Sequence, residues 1–224
     1  MPSRPCAHVQ IRDAGAVLSP QLTAAELASL ELAWEAFAAG SVPVGAVLLD
    51  GRGAVVATGR SRMYETDAPP PQLGNSLLAH AEVNALIGLD PRGRYENHTL
   101  VTALEPCSLC VGALAMSTVG ALTYLGADPY AGAVGRLADT PHTARVAVRC
   151  TGPRTDAVGE LVPAMHVACY LRRNPAGAVV RVHRELLPSA VRAAERLLAA
   201  GAAKWAARLP FSDAWPALLR VLAE

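Results

Sequence analysis

Lysine is almost missing from this chain of 224 residues: of its 20 basic residues, Lys204 alone is a lysine and the rest are arginine. Aromatic residues make up 4% of it and charged residues 17%. The 20 basic and 19 acidic residues leave a net charge of +1. No long-range field of one sign is therefore available to gather polyanions, which argues against a nucleic-acid partner. No window reaches the roughly 18 uninterrupted apolar residues of a membrane span, and residues 1–15 lack the apolar stretch behind positive charge that marks a secretory signal. The five cysteines are odd in number, unlike the evenly paired scaffold of a small secreted protein, and a reduced cytoplasmic protein fits better. No internal repeat is visible. Apolar residues, by contrast, reach 52%, enough at this length for one well-buried domain with a modest extension.

The apolar pattern sets out the elements. Leu22, Leu27, Leu30, Trp34 and Phe37 recur at helical spacing before Gly40, predicting a helix over 22–39 with Trp34 in the core. Two apolar runs, 42–49 and 54–58, flank Asp50-Gly51-Arg52-Gly53 and read as a hairpin. A polar, proline-rich loop over 59–76 leads to a helix at 77–89. A strand at 100–104 precedes a helix starting at Pro106 and reaching about Met116. Strands at 121–125 and 144–150 and a helix at 155–173 complete the pattern. Helices alternating with strands imply a sheet covered on both faces. Beyond Asn174-Pro175 come two further helical patterns, 189–200 and 212–222, with Trp205 and Trp215 expected to pack this tail down. The expected division is a domain over 20–173 and a C-terminal helical extension over 174–224.

Two motifs carry chemistry: His80-Ala81-Glu82 at one helix start, and Pro106-Cys107-Ser108-Leu109-Cys110 at another. Thiols three residues apart share a helix face and can hold one ion, and Pro106 suits a first helical position. Tetrahedral zinc accepts thiolate and imidazole, so Zn2+ is the expected cofactor, with His80, Cys107 and Cys110 as its ligands. His80 and Glu82, two apart, can serve one site only if it lies off the helix end. There Glu82 would meet a water in the fourth position and act as the catalytic proton shuttle. A closed structural zinc site would need a fourth protein ligand. The remaining cysteines, Cys6, Cys150 and Cys169, lie at no short ligand spacing from the pair.

On these residues the sequence resembles the cytidine deaminase superfamily, whose signature is H-x-E followed by P-C-x-x-C. It is most similar to the branch holding tRNA adenosine deaminase and guanine deaminase. The similar stretch runs over about 22–173 and includes Val42-Pro43-Val44-Gly45, Thr102-Ala103-Leu104-Glu105 before the second motif, and Gly126-Ala127-Asp128. The resemblance implies a three-layer α/β/α fold with a mixed five-stranded sheet, the zinc ligation above, Glu82 as general acid/base, and a homodimer. It places Ser61 where relatives carry a base-reading asparagine, with Asn75 as a possible substitute. Ala81 and Tyr130 are expected to join Ser61 at the substrate. The Asp-Pro-Thr usual before the histidine motif is replaced by Ser76-Leu77-Leu78. Arg181, His183 and Arg184 of the tail are expected to be solvated or to serve packing.

The reading is a zinc-dependent hydrolytic deaminase of a small amino-substituted heterocycle, a nucleobase or a nucleoside. One alternative is a tRNA adenosine-to-inosine deaminase, which would need a basic stripe for phosphate that the scattered arginines do not form. A second is a non-catalytic zinc-stabilised binding protein, against which the intact Glu82 speaks.

Overall fold

A computed structural model describes residues 21–223. Residues 1–15 and Cys6, on which expectations about a leader and a fourth ligand fell, lie outside them. The elements are α1 (Ala24–Ala38), β1 (Gly45–Leu49), β2 (Val55–Arg60), α2 (Ala81–Leu86), β3 (Thr99–Leu104), α3 (Ser108–Met116), β4 (Ala121–Gly126), α4 (Pro141–Val146), β5 (Arg149–Thr151), α5 (Ala157–Arg173), α6 (Ala178–Leu186), α7 (Pro188–Ala200), α8 (Ala202–Ala206) and α9 (Phe211–Ala223).

The strands form one mixed sheet in the order β2-β1-β3-β4-β5, antiparallel from β2 to β3 and parallel from β3 to β5. Two glycines show why helices lie on both faces. In the register Gly45 pairs with Arg60 and Ala46 with Gly59, so Gly45 and Gly59 face opposite ways. A Cβ at Gly45 would sit 2.2 Å from Ser29 O of α1, and one at Gly59 would sit 2.3 Å from Ala81 O of α2. Each glycine admits one helix backbone onto the sheet. Helix α3 lies beside α2, and α5 packs on β4.

Helix α1 starts where the sequence signals it: Thr23 and Glu26 form a reciprocal capping box. Three expectations need correction. The helix drawn over 77–89 is only Ala81–Leu86, because His80 is its extended N-cap and the chain before it turns. The strand drawn over 144–150 begins inside helix α4, which runs to Val146, and only Arg149–Thr151 join the sheet. Thr140 and Thr143 cap α4, Pro141 sits in its first turn and Ala147 ends it in a left-handed conformation. The local cap outweighs the β-propensity of Val146 and Val148. The tail, finally, holds four helices rather than two, α6 to α9.

These helices join the same core as the sheet. Val191, Leu197, Phe211 and Leu218 belong to one buried cluster with Trp34, Leu100 and Leu122. Trp34 donates its indole N–H to Leu209 O at 2.8 Å and meets Phe211 edge-on with centroids 6.2 Å apart. Trp205 and Trp215 are partly buried against that cluster. No helix among the described residues is long and apolar enough to cross a membrane.

Candidate metal centre and active site

Two helix starts meet at the C-terminal side of the central strands. His80 is the N-cap of α2, with φ −78° and ψ 155°, and Cys107 is the N-cap of α3, with φ −74° and ψ 175°. Neither side chain caps its own helix, which frees both to point off the helix ends. Pro106 precedes this N-cap rather than occupying the first helical turn, and its carbonyl accepts from Ala133 N. Cys110 follows in the first turn of α3. Since His80 stands outside the helix and Glu82 inside its first turn, residues two apart converge on one point.

His80 Nδ1 lies 3.5 Å from Cys107 Sγ and 3.4 Å from Cys110 Sγ, and the two sulfurs are 3.7 Å apart. Zinc bonds of about 2.3 Å to sulfur and 2.05 Å to nitrogen place tetrahedral ligands about 3.8 Å (S to S) and 3.6 Å (S to N) apart. The three residues therefore fit zinc in size as well as in donor chemistry. Neither Cys150 nor Cys169 comes near: Cys150 reaches Val148 O and Cys169 reaches Ser41 O. Among the described residues no fourth cysteine closes the cage, as an open site requires.

The electrostatics suit a cation. The sulfur–sulfur contact with Cys110, together with His80, outweighs burial and holds Cys107 at a pKa of about 4. The same contact, then burial, pushes the Cys110 thiol up. The two sulfurs thus share one proton until a metal displaces it, since a coordinated thiol is deprotonated outright. His80 is raised, first by its contact with Cys107.

Glu82 is buried beside this cage. Thr102 Oγ1 donates to its Oε1 at 2.9 Å, and Cys110 Sγ lies 3.1 Å from its Oε2. Burial raises its pKa, opposed by the bonds from Cys110 and Thr102. Burial thus favours the protonated form of the carboxyl that a proton carrier must also be able to adopt.

A pocket of about 110 Å³ opens on these groups. Ser61, Ala81 and Tyr130 all line it, as expected of substrate contacts. Ser61 Oγ is buried with no hydrogen-bond partner, free to meet a ligand. Asn75 is not in the lining; it takes a left-handed turn with φ 46° and donates its N–H to Arg62 O. Of the tail residues, Arg181 and Arg184 are exposed, whereas His183 is fully buried. The pocket also holds Asp128, His166, Tyr170 and Val179, none foreseen as site residues. Asn84 organises the entrance: its Oδ1 accepts Leu73 N at 2.8 Å, and its Nδ2 donates to Arg60 O and Leu73 O, both at 3.1 Å. One buried amide thereby clips the long loop between β2 and α2 onto the domain.

Residues 21–125 match the family model for the cytidine and deoxycytidylate deaminase zinc-binding region. This stretch of the chain is similar to the zinc-binding region of cytidine and deoxycytidylate deaminases. A tRNA-specific adenosine deaminase of Haemophilus influenzae is 36% identical over 110 residues, 48% of this chain and 59% of that protein. A tRNA(Ile)-lysidine synthase of Deinococcus radiodurans is 36% identical over 115 residues, 50% of this chain but 18% of that protein. The deaminase region thus spans only part of either curated relative. A solved structure from work on A-to-I editing by tRNA:A34 deaminases at the wobble position of transfer RNA superposes with a TM-score of 0.50 and 27% identity. That match covers 60% of this chain and 95% of the other. The matched region contains all of His80, Glu82, Cys107 and Cys110.

Proposed function

We propose that this chain is a zinc-dependent hydrolytic deaminase of a small amino-substituted heterocycle, a nucleobase or nucleoside, with His80, Cys107 and Cys110 as zinc ligands and Glu82 as proton carrier. The observation that carries the reading is the zinc-sized cage with a buried carboxyl 3.1 Å from one of its sulfurs, at the floor of a pocket of nucleobase scale.

Bound zinc supplies the Lewis acidity that makes water a nucleophile at neutral pH. Glu82, buried beside the cage, would accept a proton from the attacking water and hand it to the ring nitrogen next to the carbon under attack. It then serves the departing amine, which leaves as ammonia while an oxygen replaces it on the ring. Thr102 holds the carboxyl in line. Val42, Val44 and Leu104 give the pocket apolar walls against which a flat ring packs, and Ser61 offers a hydroxyl to its polar edge.

Two features favour a small substrate. Val179, on the first helix of the tail, lines the pocket and so narrows access from that side. The net charge of +1 gives no stripe for phosphates. The second reading, a tRNA adenosine deaminase, is favoured by the likeness to proteins of that name. A homodimer is supported by apolar side chains exposed along α2 and α3 and just before α2: Leu77, Leu78, Ile87, Leu109 and Met116. Ammonia release by zinc-loaded protein, measured on free bases, nucleosides, aminotriazines and a tRNA anticodon hairpin, tests the proposal. Turnover of a free ring with the hairpin inert is the expected result; turnover of the hairpin alone would overturn it in favour of the second reading.

A further inference from the structure

The wall of the pocket holds three buried polar side chains from distant parts of the chain: Asp128 after β4, His166 within α5 and His183 within α6. Their exposures are 5%, 6% and 0%, and one nitrogen or oxygen of each lies within 4.8 Å of the others. The hydrogens on them can be deduced. His183 Nδ1 lies 2.8 Å from Val179 O; a carbonyl only accepts, so Nδ1 carries a hydrogen, and where that is the ring's one hydrogen Nε2 is an acceptor. That Nε2 is sealed from solvent without a partner, 4.0 Å from Asp128 Oδ1. Oδ1 is an acceptor too, taking the N–H groups of Tyr130 at 2.9 Å and Ala131 at 3.1 Å. Two acceptors facing each other in a buried space need a donor between them. His166 stands in the same cluster, and its Nδ1 is also sealed and without a partner.

Metal or water could join such groups. Zinc ligands of nitrogen and oxygen at 2.0–2.2 Å would stand about 3.4 Å apart, and every separation in the thiolate cage is 3.7 Å or less. The 4.0 Å between His183 and Asp128 is wider, nearer the about 4.5 Å set by two hydrogen bonds of about 2.8 Å to one buried water. Such a water donates to Asp128 and to His183 and accepts from His166 Nδ1–H, which satisfies all three.

We propose that His166 is a specificity-determining residue of the pocket, held by Asp128 and His183 as the Nδ1–H tautomer so that Nε2 offers a lone pair to an N–H on the substrate ring. The inference rests on reading this pocket as a heterocycle site. His166 lines the pocket, and Nδ1 is its sealed nitrogen, so Nε2 is the one the pocket meets. Burial lowers the His166 pKa to about 4, so the ring stays neutral and its lone pair available. The substrate class narrows accordingly: a ring that bears, besides the amino group it loses, a second N–H donor such as a lactam N–H or another exocyclic amine. Asp128 and His183 act through His166 and are positioning residues.

The test is a two-bond proton–nitrogen correlation spectrum of zinc-loaded protein labelled with 15N-histidine, the His166 signals assigned from His166→Gln. The expected result is a neutral His166 protonated at Nδ1 at pH 7, changing to a tautomer mixture in His183→Gln and in Asp128→Asn. A His166 protonated at Nε2, or doubly protonated, would overturn the proposal. So would a second zinc per chain in the native protein that His183→Gln removes. In the ammonia assay His166→Leu should lose about ten-fold in kcat/KM on rings with the second N–H and little on rings without it; equal losses on both would refute the specificity role. If no ring is deaminated at all, the deaminase reading fails while the tautomer result still stands.

Discussion

Replacing Glu82 with glutamine separates proton transfer from architecture. Glu82 is buried, accepts the Thr102 hydroxyl at 2.9 Å and sits 3.1 Å from Cys110 Sγ. The amide of glutamine has the same shape, keeps an acceptor for Thr102 and turns an N–H toward the sulfur. The fold and the cage therefore lose almost nothing, and zinc content should stay at that of the native protein. What disappears is the group that carries the proton, worth about 10²- to 10⁴-fold in rate, or about 2.7–5.4 kcal/mol of barrier. Glu82→Ala provides the contrast. It removes the acceptor as well and leaves a void beside Thr102, costing about 2–3 kcal/mol of stability and lowering Tm by about 5–10 °C. The assays are ammonia release, zinc by mass spectrometry and thermal unfolding. A Glu82→Gln protein that binds zinc normally and retains more than a third of native kcat would refute the assignment of Glu82 as proton carrier.

Other expectations follow from the same geometry. With zinc stripped, Cys107 is half-buried and its thiol is held at about 4, so iodoacetamide at pH 6 should label Cys107 before Cys110. Zinc should protect it, and peptide mass mapping reads both results. Asn84→Ala removes the three bonds that clip the loop over 61–76 and leaves buried backbone groups unpaired, at about 1–3 kcal/mol; KM should rise more than kcat falls. Glu26 and Asp156 both flank Arg154. Burial opposes ionisation in each, but the Thr23 N–H and Arg154 outweigh it for Glu26, and Arg154 outweighs it for Asp156, so both pKa values are lowered. A lowered carboxyl stabilises the fold above its unfolded pKa and loses that contribution as pH falls through the folded value. Tm should therefore drop on acidification below about pH 4.5, and Arg154→Met should lower the neutral plateau while flattening that drop.

The metal cage was legible in the sequence because its determinants are local. Each motif spans at most five residues, and zinc's preference for thiolate and imidazole names the rest. Glu82 was legible for the same reason, once His80 was allowed to stand outside the helix. Asp128, His166 and His183 leave no such trace. They lie 38 and 17 residues apart, and His166 is embedded in an apolar helix where a histidine looks like core filling. Only the packing of α5 and α6 against the turn after β4 brings them together. The misread strand over 144–150 has a different origin. Its valines alternate as a strand's would, but Thr140-Pro141 is a helix start, and a local cap decided the matter.

The indole of Trp34 links α1 to Leu209, residues 175 apart in the chain. Helix α1 therefore cannot complete its packing until residues 209–211 have joined it, and closure of so long a loop delays the native state. The tail and the sheet should consequently melt as one cooperative unit. Chains ending at residue 173 would leave Trp34 and its neighbours bare, and should collect as protease-sensitive, chaperone-bound material instead of a smaller folded protein.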